Sequence, residues 1–168
     1  MKTVRKRCGK ISQEVKITAS EETKEERRFR YLDHIADTRF IAYGKTTEEV
    51  FENSALAMFN VIADVSSVGS LTSYPVELTS PDIESLMVDW LSELLFLFDA
   101  EGTLLAHFSI AKIWKNEDGS LSLEADVSGE PVDPSVHDMR TEVKAVTYNG
   151  LRVEKTEDGM EAEVVLDL

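Results

Sequence analysis

The sequence is poor in cysteine and in long apolar runs. Cys8 is the only cysteine among the 168 residues. No disulfide can therefore form within the chain, which favours a reducing compartment such as the cytoplasm. No apolar stretch approaches the ~18 residues that a membrane-spanning helix needs. The basic N-terminus is not followed by a hydrophobic stretch, so we expect neither a membrane span nor a secretory signal.

Short motifs of familiar catalytic chemistry are also missing. The sequence has no serine-nucleophile motif, no phosphate-binding glycine loop and no paired-cysteine site. Its three histidines are His34, His107 and His137. Most histidines in a chain of this size have surface or hydrogen-bonded structural roles, although His34 lies between carboxylates and could act as a general base. The sequence therefore predicts no catalytic residue and no bound organic cofactor.

Basic residues are scarce outside the N-terminal segment. Residues 1–28 carry nine Lys and Arg against five Glu, a net charge of +4, whereas the remainder carries nine against 27 acidic residues, a net charge of −18. Proteins gain most of their affinity for nucleic acids from Lys and Arg. The acidic part is therefore not expected to bind RNA or DNA directly with high affinity, and a cation or a basic protein partner is favoured.

The hydrophobic pattern divides the chain into two parts. Residues 1–28 show no core periodicity and are predicted to be a flexible tail, with a basic arm that touches RNA or a partner as the alternative. The chain as a whole is 42% hydrophobic. Residues 29–168 are therefore predicted to form a single domain with a core of its own.

Two helices are predicted from capping signals and apolar stripes. Thr46, with Glu49 three residues later, forms a capping box, and the helix that it starts is expected to run to about Ala63. Ser80 is predicted to cap a second helix over about residues 82–100. The last turns of this second helix are apolar nearly all round, which indicates that it is the more buried of the two.

After Gly102, which is expected to end the second helix, the apolar period changes from helical to two. Asp118-Gly119 and Asp158-Gly159 supply hairpin turns. The predicted strands are residues 38–43, 74–78, 104–114, 121–127, 143–153 and 160–168. Two helices among about six mostly antiparallel strands make an α+β fold, with the helices packed on one face of the sheet.

The last two residues and Asp37 give the most specific chemical signal. Asp167 ends an apolar strand, and Leu168 would add an α-carboxylate beside it. Clustered anionic groups repel one another unless a cation neutralises them, and hard cations such as Ca²⁺ and Mg²⁺ prefer oxygen ligands. A folded chain could bring Asp37 to the same place. The alternative is that these acidic groups at strand ends are simply solvated.

Several spaced motifs resemble those of the archease family, over about residues 29–168. The motifs are Tyr-Leu-Asp-His-Ile-Ala-Asp at 31–37, Ala-Tyr-Gly at 42–44, Asp-Trp-Leu-Ser-Glu-Leu-Leu at 89–95, Lys-Ala-Val-Thr-Tyr at 144–148 and the final Asp167-Leu168. The resemblance implies a small α+β protein that assists an RtcB-type, GTP-dependent RNA ligase in tRNA splicing. Such proteins promote formation of the ligase's covalent histidine-guanylate intermediate and allow multiple turnover, without being ligases themselves.

The resemblance also implies a metal site. By position in the motifs, its ligands are Asp37, Asp167 and the terminal Leu168, with Ca²⁺ as the usual cation and Mg²⁺ or Mn²⁺ as alternatives. Two residues depart from the family pattern, since Ile35 stands where Thr is usual and Asn149 stands where the late-strand motif commonly has His. An amide has no titratable proton at neutral pH, so Asn149 can form hydrogen bonds but cannot take part in acid-base chemistry.

Two other functions are compatible with the sequence. A free-standing metal-dependent hydrolase could use Asp33, His34 and Asp37 together with Asp167, although no positive group for a phosphorylated substrate accompanies them. A general chaperone or interaction module would bind many partners without a metal. Activity that depends on a cognate ligase would favour the accessory role over both.

Overall fold

The computed structural model describes residues 27–32 and 37–168. The predictions for most of the N-terminal tail, and those for Asp33, His34 and Ile35, lie outside the described residues. In chain order the elements of the described part are β1 Phe29–Leu32, β2 Asp37–Gly44, α1 Thr47–Ile62, β3 Thr72–Ser80, α2 Ile83–Glu101, β4 Thr103–Lys115, β5 Leu121–Pro131, β6 Ala145–Thr156 and β7 Gly159–Asp167.

The strands of the described part form two antiparallel sheets. The first sheet has the order β1-β2-β7-β6, and the second has the order β3-β5-β4. The predicted α+β class and antiparallel pairing are confirmed, but the prediction of about six strands in one sheet needs correction to seven strands in two. The additional strand is β1, whose four residues are too few to show a clear alternation.

Both helices contact strands of both sheets. Helix α1 contacts β1, β2 and β7 of the first sheet and β4 of the second, whereas α2 contacts β6 of the first and all three strands of the second. The largest fully buried side chains are Trp90, Phe40, Phe51, Phe59, Met58, Leu86, Met87, Leu91, Leu94, Leu104, Leu105 and Leu123. Each such side chain stabilises the fold by about 1.5–3 kcal/mol relative to exposure. Neither described helix has the length and apolar character to cross a membrane.

Helix α1 begins with the predicted capping box. Thr46 Oγ1 accepts a hydrogen bond from the N–H of Glu49 at 3.2 Å. The Glu49 carboxylate in turn accepts from the N–H of Lys45 at 2.7 Å. Two backbone donors at the start of the helix are satisfied in this way, which fixes the position of α1 next to the end of β2.

Helix α2 is capped by a different residue from the one predicted. Its N-cap is Asp82, whose carboxylate accepts from the N–H of Ser85 at 2.8 Å. Ser80 is instead the last residue of β3, and its hydroxyl donates to Asp89 at 2.5 Å. The prediction was wrong because Ser and Asp cap helices about equally well, and the extent of β3 decided between them. Gly102 ends the helix as expected, with a φ of 61° in the left-handed region.

Candidate metal centre

The candidate site lies at the end of the first sheet where β2 begins and β7 ends. Asp37, the first residue of β2, is the cross-strand partner of Asp167, the last residue of β7. On its other side, Asp167 is paired with Ala145, the first residue of β6. Directly opposed residues in antiparallel strands have Cβ atoms about 4.5–5.5 Å apart. The register thus brings together two of the predicted site residues from opposite ends of the domain.

The third predicted residue, Leu168, follows directly and is contacted by Lys144. The N–H of Lys144 donates to the backbone oxygen of Asp167 at 2.9 Å. Its Nζ donates to the backbone oxygen of Leu168 at 2.8 Å. Sequence reasoning missed Lys144 as a site residue, although it opens the late-strand motif that resembles the archease pattern. Its ammonium supplies a positive charge beside the two aspartates.

The electrostatics of the pair favour a cation. Asp37 is half-buried and Asp167 is exposed, and like charges directly opposed across strands are destabilising by up to ~1 kcal/mol. Carboxylate and backbone oxygens are the ligands that Ca²⁺ and Mg²⁺ prefer, so the donor chemistry fits a divalent ion. The described residues contain no group of three or more His, Cys, Asp or Glu side chains that could hold a metal. Water, a partner, or the oxygen of Leu168 after displacement of the Lys144 ammonium that donates to it, would have to complete the coordination.

A bulge in β6 lies close to the Asp37–Asp167 pair in the same sheet. The register between β6 and β7 shifts after Thr147, which is opposite Val165, so that residues 148–151 form the bulge. Within it, Gly150 has a φ of 67°, in the left-handed region. The bulge carries two exposed residues, Asn149 and Tyr148, and Tyr148 is 60% exposed. Bulges commonly redirect side chains next to functional sites.

A charged cluster lies further along the same strands. Glu163 on β7 accepts from Arg39 Nη1 of β2 at 2.9 Å, and its second oxygen accepts from Arg152 Nη2 of β6. Glu163 is a buried carboxylate between two guanidinium groups. Its hydrogen bond and then its charge raise the pKa of Arg152 above the ordinary value. Sequence reasoning missed this cluster, because nothing in the local spacing of the three residues indicates that they meet.

The two described histidines hydrogen-bond within the fold, away from the carboxylate pair. His107 Nε2 is 3.2 Å from the backbone oxygen of Val68. The buried His137 accepts from the N–H of Asp133 at Nδ1, at 3.0 Å, so its other nitrogen carries the hydrogen and donates to Glu130 at 2.9 Å. This hydrogen bond is the main cause that lowers the pKa of Glu130. Both contacts join loops to the second sheet.

A cavity of about 730 Å³ lies at the opposite end of the first sheet, where Gly44 and Met160 line it. Charged residues of both signs also line it, and none of the predicted site residues is among them. Asp37 and Gly44 are the two ends of β2, which at ~3.3 Å per residue places the cavity more than ~20 Å from the carboxylate pair. The cavity is therefore separate from the candidate metal centre.

The fold is that of a small α+β protein, in which both helices contact each of two antiparallel sheets. An oxygen-rich site lies where the second and last strands meet. The sequence then identifies one family within this class. Residues 29–168 match the model of the Archease protein family, and the chain belongs to this family.

Individual relatives agree with this assignment. The chain is 52% identical over 142 residues to Protein archease of Methanosarcina mazei, which covers 84% of this chain and 97% of the relative. It is 46% identical over 141 residues to Protein archease of Methanothermobacter thermautotrophicus, with 83% and 98% covered. The solution structure of Methanobacterium thermoautotrophicum protein 1598 matches with a TM-score of 0.74 and 43% identity, covering 84% of this chain and 99% of that one. The resemblance inferred from the motifs is confirmed.

Proposed function

We propose that this protein is a metal-binding accessory factor that activates an RtcB-type, GTP-dependent RNA ligase in tRNA splicing, and that it is not itself an enzyme. Membership of the archease family supports the partner and the process. The observation that carries the metal part of the proposal is the cross-strand pairing of Asp37 with Asp167, next to the backbone oxygen of Leu168.

Asp37, Asp167 and Leu168 would hold the cation, with Ca²⁺ as the first candidate and Mg²⁺ or Mn²⁺ as alternatives. A bound divalent ion supplies charge neutralisation for a triphosphate and its pyrophosphate leaving group, which guanylylation by GTP requires. The protein's own contribution is position. Strand pairing fixes the two carboxylates, and Leu168 follows Asp167 at the same end of the sheet. The Lys144 ammonium, which donates to the Leu168 oxygen, would have to move aside for a cation to bind that oxygen.

The acidic character of the protein supports a ligase rather than RNA as the direct partner. Residues 29–168 carry a net charge of −18, which opposes binding to phosphate backbones and complements an enzyme surface that holds RNA. In the proposed mechanism the acidic protein docks beside the ligase's nucleotide site and presents the carboxylate end of its first sheet. Faster guanylylation and multiple turnover of the ligase would follow, in the cytoplasm.

The test is a guanylylation and ligation assay with GTP, RNA ends and a divalent metal, run with and without a cognate ligase. We expect no joining by this protein alone, and faster guanylylation and repeated turnover when it is added to the ligase. Asp37→Asn should abolish most of the stimulation, whereas Asp126→Asn, which removes one charge from an exposed position of β5, should retain it. Stimulation that is identical in the two variants would refute the proposed site.

The same assay separates the rival functions. A metal-dependent hydrolase would release phosphate or cleave the RNA without the ligase. A general chaperone would protect unrelated proteins from aggregation and would do so equally well after chelation of the metal. Either result, obtained without stimulation of the ligase, would support that rival function in place of the accessory role.

A further inference from the structure

We infer that Asn149 is a site of spontaneous covalent modification, at which the backbone nitrogen of Gly150 attacks the side-chain amide and converts the asparagine into aspartate or isoaspartate. The inference concerns the β6 bulge and does not depend on the proposed function. The modification gives this position a titratable carboxylate, which the amide of the unmodified chain lacks.

The reaction needs only water besides the two residues. The N–H of Gly150 loses its proton, the nitrogen bonds to Cγ of Asn149, and the Cγ–Nδ2 bond breaks with release of ammonia. The product is a cyclic succinimide. Water then adds to one or the other carbonyl carbon of the ring and reopens it, which leaves aspartate or isoaspartate. Nothing is oxidised or reduced, and one negative charge is added to the formal net charge of −14.

The residue after the asparagine has to be a glycine in this fold. Gly150 has a φ of 67°, in the left-handed region that residues with a side chain rarely adopt. An added Cβ at this position would also lie only 3.2 Å from Arg39 Nη2. Glycine hinders the attack on Asn149 less than any other residue, because it has no side chain next to the nitrogen. The backbone conformation and the available space therefore both keep the reactive pair together.

The bulge leaves this peptide without strand pairing. Residues 148–151 have no cross-strand partner on β7, since the register passes directly from Thr147 to Arg152. Strand β6 is the last strand of its sheet, so no described strand pairs with it from the other side. Asn149 and Gly150 are both exposed. The rotation that brings Cγ of Asn149 to the next nitrogen therefore disrupts no cross-strand pair and requires little local opening.

The other asparagines of the chain are held by hydrogen bonds. Asn53 and Asn60, both on α1, donate from Nδ2 to backbone oxygens at 2.7 and 2.9 Å. Asn116, in the turn between β4 and β5, donates to two serine hydroxyls at 2.9 and 2.8 Å. Each of the three is also followed by a residue with a side chain. Within the described part of the chain, no residue hydrogen-bonds with the side chain of Asn149, so its amide alone is unrestrained.

The experiment is to incubate the full chain at neutral pH, to take samples over time and to digest them with trypsin. Cleavage after Lys144 and Arg152 releases residues 145–152 as one peptide, whose mass and retention report the conversion of Asn149. We expect Asn149 to convert at least about tenfold faster than Asn116, because Asn116 must first release its hydrogen bonds. Raising the pH by one unit should speed the reaction by up to about tenfold, because the attacking nitrogen must be deprotonated.

Two variants serve as references. Asn149→Gln keeps an amide at this position, but its longer side chain would have to form a larger ring, so its conversion should be much slower. Asn149→Asp marks the aspartate product, and aged wild-type protein should gain a species that elutes with it on anion exchange. Thermal unfolding of both variants shows whether the fold is intact.

The same chain unfolded in urea gives the rate without the fold. We expect the folded rate to lie within about tenfold of it, because no strand pair protects the bulge. Stronger protection by the fold would overturn the inference. So would a ratio of the rates at Asn149 and Asn116 smaller than the one expected, or conversion of Asn149→Gln as fast as that of wild type.

Discussion

Asp37 and Asp167 lie opposite each other on neighbouring strands, an arrangement that is unfavourable for two like charges. They are direct cross-strand partners, and two carboxylates in this arrangement repel each other. Lys144 brings a positive charge to the same end of the sheet, where its ammonium donates to the oxygen of Leu168. At the scale of single residues, the site thus combines two fixed negative charges with one ammonium beside them.

Replacing one aspartate should therefore affect stability and metal binding in opposite directions. Asp167→Asn is expected to weaken binding of Ca²⁺ at least tenfold, because affinity depends on the charge and number of the oxygen ligands. It should also raise the free energy of unfolding of the metal-free protein by up to ~1 kcal/mol, because the repulsion is lost. Urea unfolding in chelator and in Ca²⁺ measures both effects, with Asp126→Asn as the control.

If Asp167→Asn binds Ca²⁺ with wild-type affinity and its stability without metal is unchanged, the two carboxylates neither repel each other nor hold a metal. A loss of stability in chelator would show that Asp167 has a favourable contact that the variant breaks.

At the scale of elements, α1 protects an edge of the second sheet. Strand β4 is an edge strand, and such strands expose N–H groups that can pair with other chains. Glu52 accepts from the N–H of Ile110 at 2.8 Å, and Glu48, one turn earlier, accepts from the N–H of Ile113 at 3.3 Å. The charged face of the helix therefore pairs with two N–H groups of this edge, while its apolar face enters the core.

Glu52→Ala should accordingly destabilise the protein. The bond from Ile110 is charge-assisted, so we expect the free energy of unfolding to fall by about 1.5–3 kcal/mol. Glu48→Ala should cost less, because its hydrogen bond is longer. Urea denaturation measures both, and light scattering reports any association through the opened edge. Equal stability of Glu52→Ala and wild type would show that water replaces the carboxylate at no cost.

At the scale of the whole molecule, charge governs both stability and association. The formal net charge is −14 at pH 7. Several carboxylates are held locally, since Asp64, Asp118 and Asp133 each accept from the N–H and the hydroxyl of the serine two residues later. These bonds, with that of the hydroxyl first, lower the pKa of each carboxyl below its ordinary value.

The direction of these shifts sets a pH dependence. A carboxyl whose pKa is lower in the folded state stabilises the protein above its unfolded pKa of about 4, and this contribution is lost as pH falls through the lower, folded pKa. The difference in unfolding free energy between wild type and Ser120→Ala should therefore be largest at neutral pH and shrink below about pH 4. Ser109→Ala, at an exposed position of β4, should show no such trend. Chemical denaturation at pH 7, 5, 4 and 3 provides the comparison, and a difference that grows in acid would contradict the assignment.

Association with the ligase should depend on salt. If the acidic surface steers the encounter, raising ionic strength from ~50 to ~500 mM should slow association markedly, because exposed charges beyond a Debye length are screened. Stopped-flow mixing of the two proteins measures the rate constant. A rate constant that stays flat across this range would exclude electrostatic steering.

The sequence by itself determined the features that depend on residues a few positions apart. The capping box of Thr46 and Glu49, the end of α2 at Gly102 and the alternating strands all follow from such local patterns, and each was predicted within a few residues. The spaced motifs also indicated the archease family. Local rules could not choose between Ser80 and Asp82 as the cap of α2, because that choice depended on how far β3 continues in its sheet.

The tertiary structure decided which distant residues meet. The sequence suggested that Asp37 and Asp167 could come together, but only the antiparallel register of β2 and β7 makes them direct partners. The contact of Lys144 with Leu168, the cluster of Arg39 and Glu163, and the division of the strands into two sheets had no local signal at all. The physical reason is that strand pairing joins residues far apart in the chain, and a shift of register by one residue would turn every one of these side chains to the other face.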